Sequence, residues 1–315
     1  MSNKKKIAFV FPGQGAQYVG MAQEFHEIPK FKSYFKEANE ILGFDLEKIM
    51  LQGPAQKLKQ TYITQPAILL HSIMALDFLK TKLDLQPVFA AGHSLGEFSA
   101  LVAAEVINWK DALYLVHKRG KFMIEANDGT PYKMAAILGL DPQTISQICE
   151  TTEGTVVAAN YNTPGQTVIS GEKSAVSLAM KKCKENGAKR VVPLVVGGAF
   201  HSPLIKESAK LLQAEMKKIN FKQAKIPIIS NFTAQPVSDP EKIVNNLKNQ
   251  IVSPVRWVES VNYMAKNGVD TIIEFGPKNI VSRMIRSIDR KIERFNISKP
   301  DDAKKILNNL SKINN

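Results

Sequence analysis

The sequence predicts an α/β protein in which a parallel-sheet body carries an inserted unit, and three observations support this class. An apolar run at 88–91 precedes the turn 92–97 and a helix-forming segment, which is the order of a βα unit. Residues 134–195 read β-α-β-β-α-β, which is a ferredoxin-like arrangement. Further α and β segments follow residue 198, so the unit lies within the larger body.

The first part of the body is predicted to be one strand followed mainly by helices. Ile7–Phe11 is uniformly apolar and reads as a buried strand. Residues 18–80 predict helices, with amphipathic segments near 31–41 and 66–80 and with Pro66 suited to a helix start. Gln65, just before that proline, is expected to serve a turn, and a position facing the site is the alternative. After the strand at 88–91, a helix is predicted from about 110 to 126.

The remaining elements follow the same alternation. In the inserted unit the predicted strands are 134–139, 155–159, 166–170 and 190–195, the helices are 142–150 and 172–186, and 160–165 forms a turn. Beyond it we predict helices near 204–218, 241–251 and 253–267, strands at 226–230, 271–275 and 295–297, a helix after Pro277 and a polar C-terminal helix. The core is therefore expected to span 1–127 and 198–315, and the ferredoxin-like subdomain 128–197.

The composition indicates a globular protein with a basic surface. Hydrophobic residues make up 44% of the 315, the mean hydropathy is −0.14 and the formal net charge is +13. No run is long enough to span a membrane, and the five apolar residues after Lys6 are too few for a signal peptide, so we expect a cytoplasmic protein. Scattered lysines without a binding motif favour a solvated surface over a nucleic-acid partner, and a basic rim for an acidic substrate is the alternative.

Cysteine and histidine usage gives no indication of a metal site. Cys149 and Cys183 fall on predicted helices and form neither a disulfide framework nor a metal pair. The five histidines are widely spaced and form no His-x-x-His or His-x-x-x-His motif. Metal catalysis is therefore not expected.

The turn after the strand at 88–91 contains the pattern of a nucleophile elbow. Gly92-His93-Ser94-Leu95-Gly96 places Ser94 between a strand and a helix, and the glycines remove side chains that would collide around a strained serine. The helix N-terminus faces the hydroxyl, where an oxyanion would form. The alternative is an ordinary βα turn whose serine only caps the helix.

Arg119 lies on the apolar side of a predicted amphipathic helix. At 100° per residue, one stripe contains Ala112, Leu115, Val116, Arg119, Phe122, Met123 and Ala126. A buried arginine needs a partner, since an isolated buried charge is very unfavourable. The pattern leaves open an internal salt bridge or a bidentate clamp for a substrate carboxylate or phosphate.

His201 is the favoured base for Ser94. It follows two glycines at a loop–helix junction. His26 and His117 are expected on exposed helix faces, His71 inside a helix, and His93 pointing away from its neighbour Ser94.

The loop after the first strand offers a possible polar ligand of the reacting oxygen. Gln14 lies between Gly13 and Gly15, which allow a close approach. A dinucleotide-binding Gly-x-Gly-x-x-Gly loop is excluded because position 18 is tyrosine.

Several motifs together resemble the malonyl-CoA:acyl-carrier-protein transacylase family. The resemblance extends from Ile7 to about Ile285 and is carried by Phe11-Pro12-Gly13-Gln14-Gly15-Ala16-Gln17, Gly92-His93-Ser94-Leu95-Gly96-Glu97, Arg119-Gly120, Asn160-Tyr161-Asn162, Phe200-His201-Ser202 and Ser253-Pro254-Val255-Arg256-Trp257. It implies an α/β-hydrolase-like core with a ferredoxin-like subdomain. It also implies a cytoplasmic acyltransferase without a cofactor, for which we expect a monomer.

The resemblance assigns roles by position. Ser94, activated by His201, would attack malonyl-CoA and form a malonyl ester, which then passes to the phosphopantetheine thiol of acyl carrier protein. The Leu95 and Gln14 amides would stabilise the oxyanion. Arg119 would bind the malonyl carboxylate, and the Gln250 main-chain carbonyl would orient His201. Asn160 and Asn162 would line the coenzyme A entrance.

Two departures and three rival functions accompany the resemblance. Gly197-Gly198-Ala199 replaces a serine-containing lead-in to Phe200-His201, and Gly276-Pro277-Lys278-Asn279 replaces Gly-Pro-Gly-Lys. Phe200 is similar to the malonyl-selective form of the family. A serine esterase is the first rival, although Arg119 and Gln14 argue against it. An acyltransferase serving a polyketide carrier, with the same chemistry, is the second. A non-catalytic protein that docks a carrier is the third, and the intact pair of Ser94 and His201 argues against it.

Overall fold

The computed structural model describes residues 5–126 and 129–311 and divides their strands between two sheets. The strands are β1 (Ile7–Phe11), β2 (Phe89–Gly92), β3 (Tyr132–Leu138), β4 (Val156–Thr163), β5 (Gln166–Glu172), β6 (Arg190–Leu194), β7 (Ile228–Ile229), β8 (Pro236–Val237), β9 (Thr271–Phe275) and β10 (Glu293–Ile297). The helices are α1 (Gln23–His26), α2 (Pro29–Leu42), α3 (Leu46–Gln52), α4 (Ala55–Leu58), α5 (Thr61–Lys80), α6 (Gly96–Ala103), α7 (Trp109–Glu125), α8 (Pro142–Glu150), α9 (Lys173–Glu185), α10 (Lys206–Met216), α11 (Pro240–Gln250), α12 (Trp257–Lys266), α13 (Ile280–Ile288) and α14 (Asp302–Ser311). A 3₁₀ turn, Pro203–Ile205, precedes α10.

The larger sheet has the order β10-β9-β1-β2-β7-β8, and its first five strands run parallel. β8 is antiparallel to β7 at one edge. Every residue of β1 is buried, as expected for a parallel strand covered on both faces. Phe11 pairs with Gly92, so the carboxyl ends of β1 and β2 lie side by side. Open parallel sheets bind ligands at such an edge.

The smaller sheet has the order β4-β5-β3-β6 and is antiparallel throughout. Helices α8 and α9 pack on the face that carries Ala135, Ile137 and Ile169. This order confirms the predicted fold class, an α/β core with a ferredoxin-like unit. The predicted boundary at 127–128 lies outside the described residues, and the division at 197–198 stays a prediction.

The smaller sheet is joined, near the end of β4, to the segment before α12 by backbone hydrogen bonds. The Val255 amide donates to Ala159 at 2.9 Å, and the Tyr161 amide donates to Val255 at 2.9 Å. The predicted turn at 160–165 is found only at residues 164–165, because β4 continues through Thr163 before the chain reverses into β5. The helix predicted from 253 begins at Trp257 because the residues before it form this bridge.

Helix α5 is the central helix of the core. It is long and apolar enough to cross a membrane, but 83% of its most apolar 18-residue stretch is buried inside the protein. Its apolar residues there form part of the core. The sequence predicted Pro66 at the start of a helix, but it lies inside α5, which begins at Thr61. A proline donates no hydrogen bond to the carbonyl four residues earlier. That carbonyl, of Tyr62, instead accepts a 2.8 Å hydrogen bond from Nδ1 of His117.

Candidate active site

Ser94 lies at the tip of a tight turn between β2 and α6. Its φ is 54°, in the left-handed region that residues with a β-carbon rarely adopt. A β-carbon at Gly92 would lie 1.9 Å from the carbonyl carbon of Gly96, and one at Gly96 would lie 2.3 Å from the carbonyl oxygen of Phe11. The two glycines are therefore required for the turn to close, and the geometry is that of a nucleophile elbow.

His201 contacts the Ser94 hydroxyl and is oriented by a main-chain carbonyl. Nε2 of His201 lies 2.8 Å from Oγ of Ser94, and Nδ1 lies 2.8 Å from the Gln250 carbonyl oxygen. A carbonyl only accepts hydrogen bonds, so Nδ1 carries the proton and Nε2 is free to accept from the serine. The arrangement is a Ser–His pair in which a carbonyl occupies the place of the usual third carboxylate.

The surroundings of His201 keep its imidazole neutral. Burial lowers the pKa of His201 to about 3, and the positive charge of Arg119 lowers it in the same direction. The hydrogen bond to the Gln250 carbonyl opposes this shift but does not reverse it. At neutral pH the imidazole is therefore available as a base.

Arg119, on α7, is buried and points at the Ser94 hydroxyl. Its Nη2 donates to Oγ of Ser94 at 3.0 Å and to Oε1 of Gln250 at 2.9 Å, and its Nη1 donates to Oε1 of Gln65 at 2.8 Å. Among the residues that the structure describes, these partners are all neutral. Burial lowers the pKa of Arg119 to about 10, which leaves it charged at neutral pH. The internal salt bridge considered from the sequence is therefore not found in the described part of the chain.

Gln65 and His117 differ from their predicted positions. Gln65 was expected in a turn, but it lies within α5, is buried and accepts from Arg119. His117 was expected to be exposed but is buried, because it satisfies the carbonyl that Pro66 leaves free. A proline inside an apolar segment carries no local signal of such a distant partner.

Glu97 is a buried group near the site that the sequence analysis did not assign. Its Oε2 accepts from Nε2 of Gln250 at 2.8 Å and from the amide of Asn231 at 3.1 Å. Burial raises the pKa of Glu97 to about 7, while these hydrogen bonds and the charge of Arg119 oppose the rise. A glutamate in the first turn of a helix ordinarily faces solvent, so the pattern alone gave no reason to single it out.

A cavity of about 190 Å³ opens beside Ser94 and His201. Gln14 and Leu95 line it, as do Arg119 and Phe200. The Leu95 amide has no acceptor in the described part of the chain, and the Gln14 side chain likewise forms no hydrogen bond there. Both amides are therefore available to a ligand at the elbow.

Asn160 and Asn162, from the smaller sheet, close one side of the cavity. Nε2 of His93 lies 2.8 Å from Oδ1 of Asn162, and Nδ2 of Asn162 donates to Oε1 of Gln166 at 3.1 Å. His93 therefore lines the cavity, and its Nε2 contacts Asn162 and not the Ser94 hydroxyl. Because the two sheets are far apart in sequence, only tertiary structure brings His93 to Asn162.

No group of three or more histidine, cysteine, aspartate and glutamate side chains suited to a metal ion occurs among the described residues. Cys149 and Cys183 are buried free thiols in the core of the smaller sheet.

Comparisons with known proteins agree with this geometry. The family model of the acyl transferase domain matches residues 8–297. A malonyl CoA-acyl carrier protein transacylase of Bacillus subtilis (strain 168) is 43% identical over 313 residues, covering 98% of each chain. A solved transacylase of the same name from Clostridium perfringens is 36% identical, has a TM-score of 0.92 and covers 98% of each chain.

A further solved structure contains a carrier partner. It is a malonyl-transacylase in complex with its type II PKS acyl-carrier protein, 36% identical, with a TM-score of 0.93 and covering 97% of this chain and 100% of that one. The matches span nearly all of this chain and nearly all of each relative. The chain therefore belongs to the acyl transferase family and, within it, to the malonyl-CoA:acyl-carrier-protein transacylases.

Proposed function

We propose that this enzyme transfers the malonyl group of malonyl-CoA to the phosphopantetheine thiol of an acyl carrier protein through a malonyl ester on Ser94. The main support is the position of the Ser94 hydroxyl, which contacts both a neutral imidazole and a buried guanidinium. The imidazole suits a base, and the guanidinium suits a ligand for an acyl group that carries its own carboxylate.

In the first half-reaction Ser94 Oγ attacks the thioester carbonyl carbon while Nε2 of His201 takes the hydroxyl proton. The Leu95 amide, aided by the Gln14 amide, would stabilise the oxyanion. Collapse of the intermediate breaks the carbon–sulfur bond, and the imidazolium returns its proton to the leaving thiolate of coenzyme A. The product is a malonyl ester of Ser94 and free coenzyme A.

Arg119 would provide selectivity for the malonyl group. Its hydrogen-bond partners in the described structure are neutral, so a malonyl carboxylate would supply the first full negative charge in direct contact with it. Two parallel N–H···O bonds to that carboxylate are the geometry that guanidinium favours. Acetyl, which lacks the carboxylate, would gain nothing from this contact.

In the second half-reaction the carrier thiol replaces coenzyme A. His201 would take the thiol proton, the sulfur would attack the ester carbonyl, and the proton would pass to Ser94 Oγ as the ester bond breaks. Asn160 and Asn162 line the cavity on the side of the smaller sheet, where we propose that they contact the pantetheine arm of both substrates. No protein-bound cofactor takes part in this scheme.

The carrier is proposed to be that of fatty acid synthesis, with a polyketide carrier as the alternative. The chemistry is identical for both, and one similar solved structure holds a type II PKS carrier. A cytoplasmic location and a monomeric state stay predictions of the sequence analysis.

Intact-protein mass spectrometry tests this proposal. The enzyme is incubated with malonyl-CoA or acetyl-CoA, and acyl carrier protein is then added. We expect a malonyl adduct that maps to Ser94, disappears when the carrier is added and reappears on the carrier thiol, and we expect no adduct on Ser94→Ala. A malonyl adduct on the Ser94→Ala variant would remove Ser94 as the nucleophile, and loss of the acyl group to water with an unloaded carrier would indicate a hydrolase.

A further inference from the structure

Glu97 is a buried carboxylate that the proposed reaction does not use. Its side chain is 2% exposed and lies on α6 directly after the elbow. Among the described residues it forms no ion pair with a lysine, arginine or histidine. Its negative charge nevertheless raises the pKa of Arg119, and the charge of Arg119 lowers the pKa of Glu97. A carboxylate placed so deeply must be compensated by specific hydrogen bonds.

The first of these hydrogen bonds fixes the side-chain amide of Gln250. Nε2 of Gln250 donates to Oε2 of Glu97 at 2.8 Å and to the Ser94 carbonyl at 2.9 Å, while Oε1 accepts from Nη2 of Arg119 at 2.9 Å. If the amide turned over, its oxygen would face two acceptors and its nitrogen would face the guanidinium donor. Glu97, together with the Ser94 carbonyl, therefore fixes the orientation in which Gln250 presents an acceptor to Arg119.

The second hydrogen bond supports the elbow itself. Oε2 of Glu97 accepts from the Asn231 amide at 3.1 Å. The Asn231 side chain accepts from the Ser94 amide at 2.7 Å and donates to the Gly92 carbonyl at 2.7 Å. One carboxylate oxygen is thus connected to the backbone of the strained turn and to the arginine beside it.

We propose that Glu97 is a positioning residue for the acyl-carboxylate site, because it fixes the Gln250 amide and so holds Arg119 where it can pair with a malonyl carboxylate. The inference rests on the proposed function. Without Glu97 the NH₂ group of Gln250 keeps only the Ser94 carbonyl as an acceptor, so the amide is held less firmly and the acceptor that it presents to Arg119 beside Ser94 is less well placed. Selectivity for malonyl over acetyl should then fall more than reactivity.

The test compares single-turnover loading of malonyl and acetyl from their coenzyme A thioesters on the wild-type enzyme, Glu97→Ala and Glu97→Gln. For Glu97→Ala the malonyl-to-acetyl ratio of loading efficiencies should fall on the order of tenfold, because a hydrogen bond to a charged group is disrupted. Glu97→Gln should keep the ratio within about threefold of wild type, since its amide oxygen accepts from both Gln250 and Asn231.

A matched control is Glu274→Ala. Glu274 is a fully buried carboxylate on β9 that accepts from the backbone amides of Val281 and Ser282 and does not contact Gln250 or Arg119. Its loss should lower stability but leave the malonyl-to-acetyl ratio unchanged. If Glu97→Ala does not fold, Glu97→Asp withdraws the carboxylate from Gln250 while keeping the charge, and it should lower the ratio as well.

The outcomes separate this inference from the proposed function. An equal loss of malonyl and acetyl loading in Glu97→Ala, or an equal fall of the ratio in Glu274→Ala, would overturn the positioning role. A Glu97→Gln variant as damaged as Glu97→Ala would do the same. A wild-type enzyme that forms no malonyl adduct would instead contradict the proposed function.

Discussion

At the scale of single residues, Arg119 has the most demanding environment in the site. It is 1% exposed and carries a positive charge, yet its three described partners are neutral oxygens. Desolvation of a cation costs several kcal/mol even when its hydrogen bonds are satisfied. An anionic substrate that pairs with the buried guanidinium would offset this cost. We therefore propose that Arg119 serves to bind the substrate and not to stabilise the fold.

Substitution of Arg119 should affect malonyl far more than acetyl. For Arg119→Ala we expect malonyl loading to fall by about 10²-fold or more, because a charge-assisted bidentate contact is lost, while acetyl loading changes by only a few fold. The rate of malonyl loading by Arg119→Lys should lie between those of the wild type and Arg119→Ala, since an ammonium keeps the charge but not the planar pair of donors. Single-turnover loading with both thioesters measures this, and equal losses would mean that the arginine is structural.

The pH dependence of acylation should reflect the lowered pKa of His201. With a pKa of about 3 the imidazole stays neutral, and so able to accept a proton from Ser94, at pH values far below the usual histidine pKa of 6.5. Acetyl loading at pH 5 should therefore remain within about threefold of its rate at pH 7, whereas an ordinary histidine base would lose over 90% of its neutral form. Acetyl-CoA is the suitable probe because its acyl group does not engage Arg119. A decline with a midpoint near 6.5 would contradict the prediction.

Glu97 should give the folded protein a measurable dependence on pH. Its pKa is about 7 in the folded state and about 4.5 when exposed, so the folded state binds the proton more tightly and stability falls as pH rises between these values. Relative to Glu97→Gln, the wild type should lose roughly 2–3 kcal/mol of unfolding free energy between pH 5 and pH 8. Urea unfolding of both proteins at the two pH values measures this, and a pH-independent difference would refute it.

At the scale of elements, the loop before α13 contains a departure from the family pattern. Lys278 occupies the position of a glycine, and its φ is 64°, so the backbone keeps a conformation that favours glycine. The side chain extends toward the loop after β1, where Nζ lies 3.3 Å from the Gln17 carbonyl oxygen and 5.7 Å from the centre of the Tyr18 ring. The lysine side chain therefore covers part of the loop after β1 from a backbone conformation that glycine would adopt more readily.

Glycine should be preferred over alanine at position 278. A left-handed conformation costs a residue with a β-carbon about 1–2 kcal/mol, so Lys278→Gly should be about 1 kcal/mol more stable than Lys278→Ala. The matched control is Lys210, which is exposed within α10, where Lys210→Gly should be about 1 kcal/mol less stable than Lys210→Ala. Chemical denaturation measures the unfolding free energy of the four variants. If alanine is the more stable residue at position 278, as it is expected to be at position 210, residue 278 is not strained.

At the scale of the whole molecule, the site exists only where the two sheets meet. The larger sheet supplies the elbow and the loop with Gln14, while the smaller sheet supplies Asn160 and Asn162. The two are held together by the backbone bridge at Val255 and by the contact between His93 and Asn162. A substrate in the cavity therefore touches both units at once.

The net charge of +13 should favour an acidic carrier during the second half-reaction. Raising the salt concentration from about 50 to 500 mM should slow malonyl transfer to limiting acyl carrier protein severalfold, because screening weakens long-range steering. Transfer from the same loaded enzyme to free pantetheine, a neutral thiol, should change little. If both acceptors slow equally, the charge does not steer the carrier.

Much of this arrangement was predicted from local sequence. The elbow glycines, the buried stripe that contains Arg119 and the β-α-β-β-α-β order are patterns within a few tens of residues, and the structure shows the corresponding geometry. The loop–helix junction after two glycines already favoured His201 as the base, and the resemblance added Gln250, which no local pattern pairs with Ser94. Their contact with the serine is observed, and their catalytic roles await the experiments above.

What the sequence by itself determined is the fold class and the serine at the elbow that is the candidate nucleophile, because periodicity and steric demands of the backbone act over short distances. Tertiary structure alone decided the partners of the buried polar groups: Gln65 for Arg119, His117 for the carbonyl freed by Pro66, and Glu97 for the Gln250 amide. These pairs are 54, 55 and 153 residues apart. A buried donor or acceptor must be satisfied, but it can be satisfied by any group that the fold brings near, so its partner is settled only when the chain is packed.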